Sequence, residues 1–278
     1  MAKTDIPNFI IIGAARCGTT SMFRYLDSHP EIAMSPVKEL SFFSRGIYER
    51  KGLSWYRQQF PVSDNLLAIG EASTSYTTYP EVPDVAARIA AYNPDMRLIY
   101  LVRNPLDRYI SHFLQRTKTG RETREFDETF RCLQNEAFAW QGMYYYQLSH
   151  YLRYFPKRQI LVISFDQIKS NPKNVIRKLH QFLGVREIEI EDSSGKVHNA
   201  TGTVYRKNAS GLALLRFYRS YIEQKNLPFH FKKFFTSMAD WGGTPVDKPH
   251  LTPDQKSVLT DFYGEDCRRL EETFNIQT

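Results

Sequence analysis

The sequence predicts a single α/β domain over residues 1–278: a P-loop-like parallel sheet of about five strands with helices on both faces. Three observations predict it. Short β-branched runs alternate with longer segments of helical period, the pattern of a parallel sheet with crossover helices. The run "MRLIYLV" (96–102) hardly alternates between apolar and polar residues, as a strand buried on both faces should not. Near the N-terminus, "FIIIGAARCGTTSMFRYL" (9–26) reads as strand, glycine turn and helix, with Gly13 and Gly18 at the G-x-x-x-x-G spacing of a phosphate-gripping loop. With 278 residues, 42% of them apolar, the chain can bury a core of that size.

The elements follow in order. "NFIIIG" is the first strand, and residues 19–28 form its helix, stopped by His29-Pro30. "LLAIGE" (66–71) is a strand, 82–92 a helix and 96–102 the central strand. "NPLDRYISHFLQRT" is a helix with proline in its first turn. "QILVISF" (159–165) is a fourth strand, and 171–184 a helix closed by glycine. The run Tyr144-Tyr145-Tyr146 reads as a helix crossing from core to surface.

Residues 186–250 differ: they are rich in Ser, Gly, Asn, Thr and bases. They read as long loops with a short helix near 211–224, folded over the ligand sites. The last helix is clear, with Thr252 as N-cap, Pro253 at N1 and Gln255 completing a capping box. Val258, Leu259, Phe262, Cys267 and Leu270 form its apolar stripe.

The formal charge of +7 admits an anionic ligand without requiring a nucleic acid, and none is expected. Three cysteines give neither a disulfide framework nor a zinc spacing. No signal peptide is visible and no apolar run nears the ~20 residues of a membrane helix, so a cytoplasmic location is expected. A membrane-surface acceptor stays open, as does the oligomeric state.

The loop raises the chemical question. A P-loop continues with Lys-Ser or Lys-Thr, but here Gly18 is followed by Thr19 and Thr20, and Arg16 lies inside the loop. A nucleotide hydrolase also needs a magnesium-holding Asp on a neighbouring strand. The central strand ends instead in Arg103, with Ser111 about two helical turns further on. That pattern fits a ligand with two separated anionic groups, neutralised by arginine and without a metal.

Taken together, "GAARCGTTS", "KELSFF", "GEASTSY" and "LVRNPLDRYISHF" resemble sulfotransferases that use 3′-phosphoadenosine 5′-phosphosulfate (PAPS), nearest the heparan-sulfate and bacterial carbohydrate branch. The resemblance implies that Arg16, Cys17, Gly18, Thr19, Thr20 and Ser21 grip the 5′-phosphosulfate, and that Arg103 and Ser111 hold the 3′-phosphate. It implies Glu39 as general base, Arg16 as stabiliser of the transferring group, and 3′-phosphoadenosine 5′-phosphate (PAP) as product, with no metal. Arg206 and Lys207 are candidates to cover the 3′-phosphate. Lys38, Ser41, Glu71, Ser73 and His198 are candidates on the acceptor side. The chain departs from the branch where Glu71 is followed by Ala72 rather than lysine, and where Ser41 replaces a frequent histidine. The implied acceptor is a glycan or glycolipid hydroxyl, or less directly an amine. Alternatives are a polyketide, lipid or other secondary metabolite as acceptor, and in other classes a small-molecule kinase or a non-catalytic nucleotide-binding module.

Overall fold

The computed structural model describes residues 6–44, 46–61, 63–188, 203–222, 234–235 and 237–278. Five parallel strands form the sheet: β1 (Phe9–Gly13), β2 (Ile32–Met34), β3 (Ala68–Ala72), β4 (Arg97–Val102) and β5 (Ile160–Ser164), in the order β2-β3-β1-β4-β5. Every residue of β1 and β3 is buried, which is why these runs are continuously apolar apart from one glutamate. The chain moves from β1 to one side, then returns past it to β4. Such a reversal opens a crevice beyond the carboxyl ends of the strands.

The connecting helices are α1 (Thr19–Asp27), α2 (Ile47–Arg57), α3 (Val85–Tyr92), α4 (Pro105–Lys118), α5 (Ala137–Trp140), α6 (Tyr144–Tyr151), α7 (Phe165–Ser170) and α8 (Pro172–Leu183). Asn104 caps α4, accepting the amides of Leu106 (3.1 Å) and Asp107 (3.2 Å) ahead of Pro105. This fixes where α4 starts, and so where Ser111 sits relative to Arg103.

The segment expected to be mostly loop holds more order than its composition announced. Its described part forms β6 (Val204–Arg206), α9 (Ala209–Phe217) and β7 (Thr244–Val246), with β6 and β7 antiparallel. A wider π-type turn, Tyr218–Ile222, prolongs α9. The final helix, α10 (Pro253–Phe274), has the expected cap, with Thr252 and Gln255 bonded reciprocally at 3.0 and 3.2 Å. Its stripe is corrected. Leu259, Tyr263, Asp266 and Leu270 are buried, whereas Val258 is 46% exposed because it lies a residue, about 100°, off that face. Among the described residues no helix is long and apolar enough to cross a membrane.

Candidate active site

A cleft of about 1410 Å³ opens at the carboxyl edge of the sheet. One wall is the β1–α1 loop with the start of α4. Lys38, Glu39, Ser41, Thr74 and Ser75 line the cleft too, and residues Thr203, Val204 and Val246–Lys248 border it from the second sheet.

The loop is shaped by its glycines. At Gly13 (φ +154°) a Cβ would stand 2.2 Å from Thr77 Oγ1. At Gly18 (φ +90°) it would crowd the Phe165 ring at 3.1 Å. Gly18 is the N-cap of α1 and supplies no side-chain cap, so the first-turn amides beside Thr19, Thr20 and Ser21 are left for an anion. All three residues line the cleft. Cys17 does not. Its side chain is wholly buried, its sulfur lies 3.6 Å from the Tyr144 hydroxyl and its amide bonds Ala14, so it packs beneath the loop. Burial pushes its thiol up, away from a reactive thiolate.

Arg16 (φ +72°) reaches across to α4, where its Nε donates to Ser111 Oγ at 2.9 Å and its Nη1 to Gln115 Oε1 at 3.4 Å. Burial, then the neighbouring Arg103, hold its guanidinium below the ordinary arginine value. The loop arginine and the α4 serine, expected at opposite ends of the donor, are thus directly bonded. Arg103 pairs with Asp107 at 3.0 Å and lies over the Phe165 ring at 5.3 Å. Its Nε is buried and has no hydrogen-bond partner among the described residues. Two arginines that repel one another beside an open space, one with an orphaned donor, fit a polyanionic ligand.

Glu39 lines the same cleft. Its Oε2 accepts the Thr74 amide at 2.7 Å, the Thr74 hydroxyl lies 3.2 Å from both oxygens, and Lys38 pairs with Oε1. Its own amide bonds the Ala72 carbonyl at 2.9 Å, which ties it to the end of β3. The Glu39 side chain is 39% exposed. Ser41 also lines the cleft, bonded to Ser75 at 2.9 Å.

Other expected site residues lie elsewhere. Glu71 and Ser73 are wholly buried and do not line the cleft. Glu71 accepts hydrogen bonds from Ser73, Tyr76 and Tyr56, so it lies beneath the residues that line the cleft, not among them. Arg206 is held by Glu125 and Lys207 by Asp240, with the Lys207 side chain 2% exposed. Neither lines the cleft, and β6 presents Val204 instead. His198 lies outside the described residues. Sequence reasoning missed Thr74, Gln115 and Phe165. Phe165 stands just past a strand's carboxyl end, the position that should have marked it. Among the described residues no group of three or more His, Cys, Asp or Glu is placed to hold a metal ion.

Fold and site together define a P-loop-like α/β protein whose basic, hydroxyl-rich loop shares a cleft with a carboxylate. A family profile described as "Sulfotransferase domain" matches residues 6–271, and the chain belongs to that family. It is 33% identical over 214 residues to human heparan sulfate glucosamine 3-O-sulfotransferase 3B1, covering 74% of this chain and 53% of that protein. The chain spans about half the length of the curated relatives it matches. Among solved structures, a sulfotransferase from Alicyclobacillus acidocaldarius superposes with a TM-score of 0.67 at 27% identity, over 98% of this chain and 97% of that one. Mouse sulfotransferase SULT7A1 complexed with PAP shares the fold, with a TM-score of 0.52 at 15% identity over 97% and 86% of the two chains.

Proposed function

We propose that this protein transfers a sulfuryl group from PAPS to a hydroxyl of a glycan or glycolipid and releases PAP. The observation that carries the reading is that Arg16, Ser111 and Arg103 line the same cleft as Glu39, which Thr74 holds. Family membership and the heparan sulfate enzymes among the relatives support the reaction class and the glycan.

In this reading the first-turn amides of α1, with Thr19, Thr20 and Ser21, hold the 5′-phosphate. Arg103, with its unpartnered Nε, and Ser111 hold the 3′-phosphate. The Arg103–Asp107 pair is a cheap contact to exchange, because its Asp107 side is 60% exposed and such pairs contribute little. The acceptor hydroxyl enters beside Glu39, which takes its proton as the new S–O bond forms. The S–O bond to the 5′-phosphate breaks, and the leaving phosphate gains negative charge. Arg16 stabilises that charge as a fixed cation and keeps its own proton. Arg116, Arg121 and Lys248 line the same cleft, which suits a weakly acidic sugar chain.

The test compares PAP with ATP and magnesium in a thermal shift, in EDTA for PAP. PAP should stabilise the fold by roughly 2.7 kcal/mol at a hundredfold excess over its Kd. Labelled PAPS is then offered to neutral and weakly acidic glycans and to hydroxylated lipids. A preference for ATP would refute the donor, and transfer to lipids alone would refute the glycan.

A further inference from the structure

Glu71 ends up beneath the wall it was expected to line, and its surroundings give it another task. Its wholly buried carboxylate accepts the hydroxyls of Ser73 (2.6 Å), Tyr76 (2.7 Å) and Tyr56 (3.0 Å). Two of these hydroxyls also accept amides from the segment that carries Glu39. Ser73 Oγ takes the Ser41 N–H at 2.9 Å, and the Tyr76 hydroxyl takes the Phe43 N–H at 3.3 Å. A hydroxyl has one proton, and here it goes to Glu71, which leaves the oxygen lone pairs for the amides. The segment needs such support. Glu39 (φ +64°) and Ser41 (φ +50°) both occupy left-handed backbone, which non-glycine residues keep only where the surroundings impose it.

We propose that Glu71 is a positioning residue for Glu39: its ionised carboxylate fixes the 39–43 segment through Ser73 and Tyr76, and its protonation loosens that hold. This rests on the reading of Glu39 as the base.

A neutral Glu71 carries a proton to donate and no longer accepts from every neighbour, so at least one hydroxyl must turn. The groups facing it are Tyr56 from α2, Ser73 and Tyr76 following β3, and the Glu39 carboxylate, itself paired with Lys38. Tyr92 of α3 stands behind Tyr56, with ring centroids 5.4 Å apart. Burial pushes Glu71 up to about 7, opposed by the three hydroxyls and reinforced by the negative charge of Glu39. The hold therefore weakens as the pH falls through neutrality.

The experiment measures single-turnover transfer from PAPS, and PAP affinity, on either side of neutral pH for the wild type, Glu71→Gln and Ser73→Ala. In parallel, the amide resonances of Ser41 and Phe43 are followed with pH in the wild type. The wild-type rate should rise with pH through about 7, with both amides titrating at the same midpoint. Glu71→Gln should lose that step. Ser73→Ala leaves both tyrosines on the carboxylate, so it serves if the Gln variant fails to fold. It should slow turnover roughly 10–100-fold at unchanged PAP affinity. Ser73→Ala with the wild-type rate and profile, or amides that stay flat across neutrality, would overturn the proposal. A Glu39→Gln variant with full turnover would instead overturn the base assignment, while the amide titration reports on Glu71 regardless.

Discussion

The Tyr144 hydroxyl donates to the Arg103 carbonyl at 2.9 Å and accepts the Arg103 amide at 3.4 Å. The same oxygen lies 3.6 Å from Cys17 Sγ, under the β1–α1 loop. One buried phenol thus sets the level of the loop against the strand end that carries Arg103. Tyr144→Phe should leave buried backbone groups unpaired and cost on the order of 1–3 kcal/mol of stability. Denaturant unfolding reads the loss, and PAP titration should show weaker binding with the acceptor KM little changed.

Arg103→Ala removes a donor whose Nε has no partner among the described residues. PAP binding should weaken by about 1.5–3 kcal/mol, the range for a hydrogen bond to a charged group. Calorimetric titration in EDTA checks it. Unchanged affinity would remove Arg103 from the donor site.

Arg16→Ala should depress turnover more than PAP affinity, because its charge matters most when the bridging oxygen becomes anionic. Arg16→Lys keeps the charge and loses the fork that reaches Ser111 and Gln115. It should therefore fall between wild type and Ala in single-turnover rate. A Lys variant as slow as Ala would assign the role to the fork and not to the charge.

Asp266 of α10 caps α6, accepting the amides of Tyr145 (2.9 Å) and Tyr146 (2.7 Å). Burial pushes its carboxyl up to about 6 from 3.8, against those bonds. A raised folded value means that its contribution is fully present below the unfolded value and is lost as the pH rises through the folded one. Relative to Asp266→Asn, the wild type should lose on the order of 3 kcal/mol between those two values. Urea unfolding of both proteins across that window measures it, and a flat difference would contradict it.

What the sequence made legible follows from burial and capping. β1 and, after Arg97, β4 are buried on both faces, so their runs are continuously apolar, and α4, α8 and α10 carry side-chain caps that fix their starts. β2 is three residues long and α2 is broken at Gly52 (φ +72°), so neither leaves a periodic signal. Arg16 and Arg103 sit beside a recognisable turn and strand end, Glu39 was singled out only through the family resemblance, and all three line the cleft. Glu71 was misplaced because an acid in a strand looks like a site residue when its buried partners are out of view; Tyr56 lies fifteen positions upstream. Arg206 and Lys207 looked free for the same reason, since Glu125 and Asp240 reach them only in the fold.

The central claim is sulfuryl transfer with Glu39 as base, and one comparison tests it most directly. Wild type and Glu39→Gln are mixed with labelled PAPS and an accepted glycan in single turnover, with PAP affinity measured alongside. The account predicts a rate lower by roughly 10²–10⁴-fold in the Gln variant, with PAP affinity at the wild-type value. A Gln variant that transfers the label at the wild-type rate would contradict it.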